Sequence, residues 1–180
     1  MNTLTITLII IIALAIIIAL MFNNLVGLNI RCQNAWSQID NQLKRRYDLI
    51  PNLVEVTKGY AAHERETLVN VVNARNTNAS MSEMAKESET VSQNVKNLLA
   101  VAEKYPDLKA NELFKNLQIE LTGTEDKIAF ARQFYNDTVQ RFNTAISVFP
   151  NNIVANIMHY QEKEYFKVDD NEKNVVKVEL

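Results

Sequence analysis

Glycine and proline are scarce, with three of each in 180 residues, where an average globular chain holds ~7% and ~5%. Sheets need a turn every several residues, and turns draw on these two residue types. A β-rich or doubly wound chain is thereby excluded, and long helices with few connections remain. A basic excess is also missing. The 19 Lys and Arg are balanced by 21 Asp and Glu, a net charge of -2, so nucleic acid is not expected as a partner. The single cysteine can close no internal disulfide and suits a reducing compartment. Three scattered glycines cannot build a phosphate-cradling loop. Disorder is excluded for most of the length, because 47% of the residues are apolar. The length is that of one domain.

Charge is absent from one end. Between Asn2 and Gln33 the only charged side chain is Arg31. Within that stretch Leu4 to Phe22 reads LTITLIIIIALAIIIALMF, broken only by Thr5 and Thr7. As a helix it measures about 28 Å, close to the ~30 Å hydrocarbon core of a bilayer, and both hydroxyls can bond back to their own helix. A cleaved signal peptide is disfavoured: no Lys or Arg precedes the run, the run is too long, and no A-x-A site follows it. Lipidation of Cys32 is disfavoured by Arg31 before it and by its distance from the apolar run. The expectation is a retained anchor in the lipid bilayer through residues 4–22. Arg31, Lys44, Arg45 and Arg46 follow the run, and no Lys or Arg precedes it. That asymmetry places the short N-terminus outside and the rest in the cytoplasm, at the cell inner membrane.

The remainder is helical in period. Trp36, Ile39, Leu43, Ile50, Leu53, Leu68 and Val71 form one seam between Asn24 and Asn76, widened by Val54, Val56, Ala61, Val69 and Val72. Pro51 should kink or break it, Asp48 offers a cap for a new start, and Gly59 is a second soft spot. The polar stretch 76–82 is a connection, with Ser80 or Ser82 as the next cap. Met84, Val91, Val95, Leu98, Ala102 and Tyr105 mark a second helix that Pro106 stops. Asn111 caps a third, with Glu112 in its first turn. Along it Phe114, Leu117, Leu121, Ile128, Ala131, Tyr135, Val139, Phe142, Ile146 and Phe149 keep a mean period of 3.5 with one empty slot near Gly123-Thr124, the spacing of coiled packing. Residues 151–158 make a short further helix, and the charged end beyond His159 carries no readable pattern. The fold expected is all-α: an N-terminal transmembrane helix (1–23), an antiparallel bundle of three long helices plus a short C-terminal helix (24–158), and a tail (159–180).

Candidate chemistry is sparse. His63 and His159 lack the spacing of a zinc helix or a di-iron bundle, since Tyr60 and Asn156 stand where a Glu three positions earlier would be needed. Cys32 has no nearby base, and no nucleophile-elbow pattern occurs. No catalytic residue, cofactor or metal is therefore assigned. The run Lys44-Arg45-Arg46 lies roughly 35 Å beyond the apolar run as a straight helix, too far for headgroup contact. Its plain role is ion pairing with Asp40, Asp48 or a neighbouring helix, its alternative a contact with another protein. Asn52, Asn136 and Asn143 are either solvated or buried members of an apolar seam that fix helix pairing. Trp36 is core or an intersubunit anchor.

Asn34-Ala-Trp-Ser-Gln-Ile-Asp40 and Gln42-Leu-Lys-Arg-Arg-Tyr-Asp-Leu-Ile-Pro-Asn-Leu-Val54 carry a resemblance to a known family. So do Lys58-Gly-Tyr-Ala-Ala-His-Glu64, Thr124-Glu, Ala131-Arg, Tyr135-Asn-x-x-Val139-x-x-Phe142-Asn143 and Phe149-Pro150. From about residue 23 to 158 the chain resembles the LemA family, with Phe142 standing where a Tyr is more usual. The resemblance implies a helical bundle behind an N-terminal anchor in a bacterial-type membrane protein. It implies no reaction, and one branch of the family is associated with shaping intracellular membranes. Three readings follow. The first is a non-enzymatic scaffold whose helical rod forms a homo-oligomer. The second is a tethered adaptor or sensor for a cytoplasmic protein or small ligand, and the third an enzyme with a pocket between helices. The first is favoured, with Trp36, Lys44, Arg45, Arg46, Tyr47, Asp48, Pro51, Asn52, Tyr135, Asn136, Phe142 and Asn143 as candidate helix-packing or assembly contacts.

Overall fold

The computed structural model describes residues 3–60 and 81–167. The chain is all-α, and no strand occurs among the described residues. The first helix, α1 (Thr3–Lys58), is 56 residues long and contains the whole apolar run. That run is long and apolar enough to cross a membrane, and none of it is buried by the other described residues. Its many isoleucines would suit a strand in water. In lipid a helix satisfies every backbone group within one segment, and that requirement dominates. The Thr7 hydroxyl is bonded to the carbonyls of Thr3 and Leu4 at 3.2 and 2.9 Å, as its helix-interior position requires.

α1 passes through Pro51 without a break, and Asp48 starts no new helix. A proline inside a helix costs about 3 kcal/mol. Here Ile50, Leu53, Val54 and Thr57 are buried around it, and their packing outweighs the missing hydrogen bond, while Pro51 itself faces outward. The helix ends at Lys58, where Gly59 and Tyr60 form a turn closed by Tyr60 N–H donating to Thr57 O at 3.0 Å. The seam positions Ala61, Leu68, Val69, Val71 and Val72, the cap Ser80 and His63 lie outside the described residues.

The second helix, α2 (Met81–Ala102), holds Ser82 in its first turn rather than ahead of it. Pro106 then opens α3 (Pro106–Ala110), since its missing N–H is no loss at the first helical position. α4 (Glu112–Ser147) begins as expected: Phe114 N–H donates to Asn111 Oδ1 at 3.1 Å, and Glu112 occupies the first turn. α5 is Asn151–Ile157.

Two compact units divide the described residues: 3–38 with 133–165, and 39–60, 81–132 with 166–167. The second has a continuous apolar core. Ile50, Leu53 and Val54 of α1 meet Val91, Val95 and Leu98 of α2, Leu108 of α3, and Phe114, Leu117 and Leu121 of α4. Each such side chain contributes about 1.5–3 kcal/mol of burial.

In the first unit α1 pairs with α4. Cys32 Sγ donates to Thr138 O at 3.6 Å, and the Trp36 and Tyr135 rings lie 5.6 Å apart. As numbers rise on one helix they fall on the other, so the pair is antiparallel within this unit. Leu25 is the first buried residue of α1 and Ile146 the last of α4, which marks one end of the pairing. The long seam of α4 is buried from Phe114 to Ile146. Phe149, read as its last member, lies beyond the helix end and is 79% exposed.

After α5 the chain turns back. Tyr160 N–H bonds to Ala155 O and His159 N–H to Asn156 O, with His159 at φ 53. This is a Schellman turn in which a histidine holds the left-handed position that glycine usually takes. Residues 161–165 then lie against α4, held by contacts described below.

Candidate functional site

Each of three apolar seams skips one turn. On α1 the gap runs from Leu43 to Ile50, on α2 from Met84 to Val91, and on α4 from Leu121 to Ile128. Arg46, Ser88 and Thr124 fill these gaps, at 0, 1 and 1% exposure. The heptad is therefore continuous, and its polar members are internal. Thr124 bonds back to Glu120 O at 2.7 Å, while Ser88 and two further side chains gather around the Arg46 guanidinium. Arg46 Nη1 donates to Glu125 Oε1 and to Ser92 Oγ, both at 2.9 Å, and Nη2 donates to Ser88 Oγ at 3.2 Å. The Ser92 hydroxyl in turn donates to Glu125 Oε2 at 2.8 Å. Arg46 Nε is buried with no hydrogen-bond partner among the described residues. The planar fork of arginine suits a carboxylate and two hydroxyls at once, where a lysine would act as a point charge.

Around this centre the charges continue outward. Arg45 pairs with Glu120 at 3.7 Å, both half-exposed. Tyr47 Oη donates to Glu87 at 3.0 Å; burial first, then Glu87, raise its phenol above the usual range, with Arg46 opposing. Arg132 lies 5.2 Å from the Phe166 ring centre. Burial lowers its pKa, Glu89 and Glu125 act to raise it, and Arg46 lowers it further. Arg45 and Arg46 thus pair with acidic residues of α4. Arg46 belongs to helix packing and cannot face another molecule.

A second group lies in the other unit. Asn143 Nδ2 donates to Lys163 O and Lys163 N–H donates to Asn143 Oδ1, each at 2.9 Å. One amide side chain replaces a backbone partner and ties down the returning segment. Tyr135 Oη donates to Glu164 O at 3.1 Å. Phe142, fully buried, meets the Tyr160 ring edge-on at 5.4 Å, and the Lys163 ammonium stands 5.1 Å over its face.

Burial, with Cys32 and Glu164 adding to it, pushes the Tyr135 phenol from the ordinary 10.0 up to about 12. The Cys32 thiol is also raised by burial, with Lys163 opposing. A phenol harder to ionise in the folded chain than in the unfolded one adds stability that is whole below pH 10. That stability is lost as pH rises through the folded value of about 12. Thermal unfolding followed across this window should show a steep fall for the parent chain. Tyr135→Phe should flatten the decline, leaving the slope that belongs to Tyr47 and Cys32.

Among the remaining predicted contacts, Lys44, Asp48, Pro51 and Asn52 are exposed, and Asn136 is half-buried. Sequence reasoning names Glu125 only as part of the Thr124-Glu motif and does not single out Ser88, Ser92 or Glu120. The signal for Ser88 was present: a skipped turn in an otherwise regular seam marks a buried polar position. Among the described residues no three His, Cys, Asp or Glu side chains are grouped to hold a metal ion.

Comparison with known proteins places these features. The LemA family profile matches residues 35–180. Protein LemA of Metamycoplasma hominis is 31% identical over 147 residues, covering 76% of this chain and 67% of that protein. Magnetosome protein MamQ 2 of Paramagnetospirillum magneticum is 34% identical over 70 residues, 39% of this chain and 26% of its own length. Magnetosome protein MamQ of Magnetospirillum gryphiswaldense is 32% identical over 69 residues, 38% and 25%. The chain spans about a quarter of the length of the MamQ relatives it matches.

Proposed function

This chain belongs to the LemA family, and from that premise we propose that it is a non-enzymatic, single-pass membrane protein that scaffolds the bilayer by associating with copies of itself. Family membership, the MamQ relatives and the exposed apolar run of α1 support membrane association. The Lys and Arg after the run support a cytoplasmic helical domain at the inner membrane. The antiparallel three-helix bundle expected for residues 24–158 is supported by the α1–α4 pairing and by the core shared among α1, α2 and α4.

The observation that carries self-association is on the outward face of α4. The inward seam is consumed by the chain's own packing, so it cannot serve assembly. Ile119 and Phe130 are each 70% exposed and stand eleven residues, about three turns, apart on one face. These two exposed side chains are the α4 contacts we assign to a second copy. Chemical crosslinking of the full chain in detergent should give a ladder of multimers. Phe130→Asp should weaken it without lowering the melting temperature. A strict monomer at high concentration would sink the proposal. A stoichiometric cytoplasmic partner, recovered in place of further copies, would favour the adaptor reading.

A further inference from the structure

The α4–α5 corner is apolar on its outer side, and nothing among the described residues covers it. Val148, Phe149, Ile153 and Ile157 are all exposed, Ile157 to 74%. α5 buries Val154 and Ala155 on its inner face, while Ile153 and Ile157 stand exposed beside Asn156. A surface of this kind in water would be a liability.

Its height along α1 says what it meets. From the contact between Cys32 and Thr138, nine residues back along α1 and nine on along α4 bring Asn23 level with Ser147. The corner therefore begins where the apolar run ends at Phe22. The burial pattern agrees, since Leu25 and Ile146 are the last buried pair at this end. The charges agree independently. Arg31 is the first charged side chain after the run, and none of Asp, Glu, Lys or Arg occurs between Arg141 and Glu162. Arg31 and Arg141 lie at nearly the same height on their antiparallel helices. Glu162 and Lys163 return beside Asn143, on the same side. Every charge of this unit's described residues thus stands on one side of a level that α1 crosses, and the exposed apolar corner stands at that level.

We infer that the α4–α5 corner is a second membrane contact, with Phe149, Ile153 and Ile157 entering the headgroup–acyl boundary of the leaflet from which α1 emerges. This rests on the reading of α1 as a membrane-spanning helix. Apolar side chains on short interfacial helices settle about 5–10 Å into that boundary. Two points of attachment on one unit also fix its tilt, which a lone helix leaves free.

Trp36 is the only tryptophan and stands thirteen residues, about 20 Å, beyond Asn23 along α1, so the parent chain supplies its own unquenched baseline. The full chain is reconstituted into vesicles whose lipid is brominated near the headgroup end of the acyl chains. Phe149→Trp and Ile153→Trp should each show roughly twofold more quenching than the parent, as burial at the boundary requires. Leu14→Trp, in vesicles brominated deep in the chains, reports on the spanning helix. If Leu14→Trp is quenched and the two corner variants are not, the inference falls and the anchor stands. If Leu14→Trp also escapes quenching, both fall. A blue-shifted but unquenched corner tryptophan would show protein covering the patch, a second copy for instance, and would equally overturn it.

Discussion

Arg46→Ala should lower the stability of the folded chain by about 3 kcal/mol, the usual cost of removing one partner from a buried ion pair. Three acceptors lose their donor together: the Glu125 carboxylate and the hydroxyls of Ser88 and Ser92. Glu125 retains some contact with water, at 31% side-chain exposure, which keeps the loss at the lower end of that range. Alanine also leaves a void at a position with no exposure, and a void adds to the loss. At roughly 2–4 °C per kcal/mol for a chain of this size, the melting temperature should fall on the order of 10 °C. Circular dichroism of the full chain in detergent reads this directly. Arg46→Met combined with Glu125→Gln removes both charges while keeping volume, and should return to within about 1 kcal/mol of the parent. A loss below about 0.5 kcal/mol for the alanine variant, the range of an ordinary surface change, would contradict the buried placement of the guanidinium.

Phe142→Ala should cost about 3–5 kcal/mol, as aromatic truncations in packed cores do. The ring is fully buried, and it supports both the Tyr160 ring and the Lys163 side chain. Its loss should therefore do more than open a cavity. Hydrogen exchange at the Lys163 amide, bonded to the adjacent Asn143, should accelerate beyond the change in global stability. Phe142→Leu, which keeps most of the volume, should lose under about 1.5 kcal/mol and leave that amide protected. An alanine variant that unfolds earlier but keeps Lys163 protected would show that the returning segment is held by Asn143 alone.

How far these features can be read from residues alone depends on the kind of signal each leaves. The helices leave a period, and the seam of α4 from Phe114 to Ile146 is where the spacing puts it. So is the cap at Asn111. At Pro51 a local rule about one hydrogen bond leaves a break open, and the helix runs on because of packing around Ile50 and Leu53 that no local rule contains. Phe149 was misjudged because it continues the period past the point where the helix ends at Ser147. For Arg46 the charged run suggests ion pairing without naming the partner, although the step from Leu43 to Ile50 already leaves one inward turn without an apolar owner. The returning segment leaves no period, since its ties are Asn143 to a backbone and Tyr135 to a carbonyl. A single polar residue on a helix gives its type but not its partner.

The polar layer around Arg46 has a consequence for the chain while it is still folding. A seam of similar apolar residues repeats every seven positions, so two helices slid past each other by one such step would bury nearly the same oily surface. Only the layer breaks that near-equivalence. After such a slip Ser88 would give way to Val95 or Met81, Ser92 to Leu99 or Ala85, and Glu125 to Gln118 or Arg132, so the buried guanidinium would lose its carboxylate and both hydroxyls with no water to replace them. The chain rejects the slipped arrangement through a single misfit at one level, as a key with one wrong notch fails in a lock whose other pins all yield.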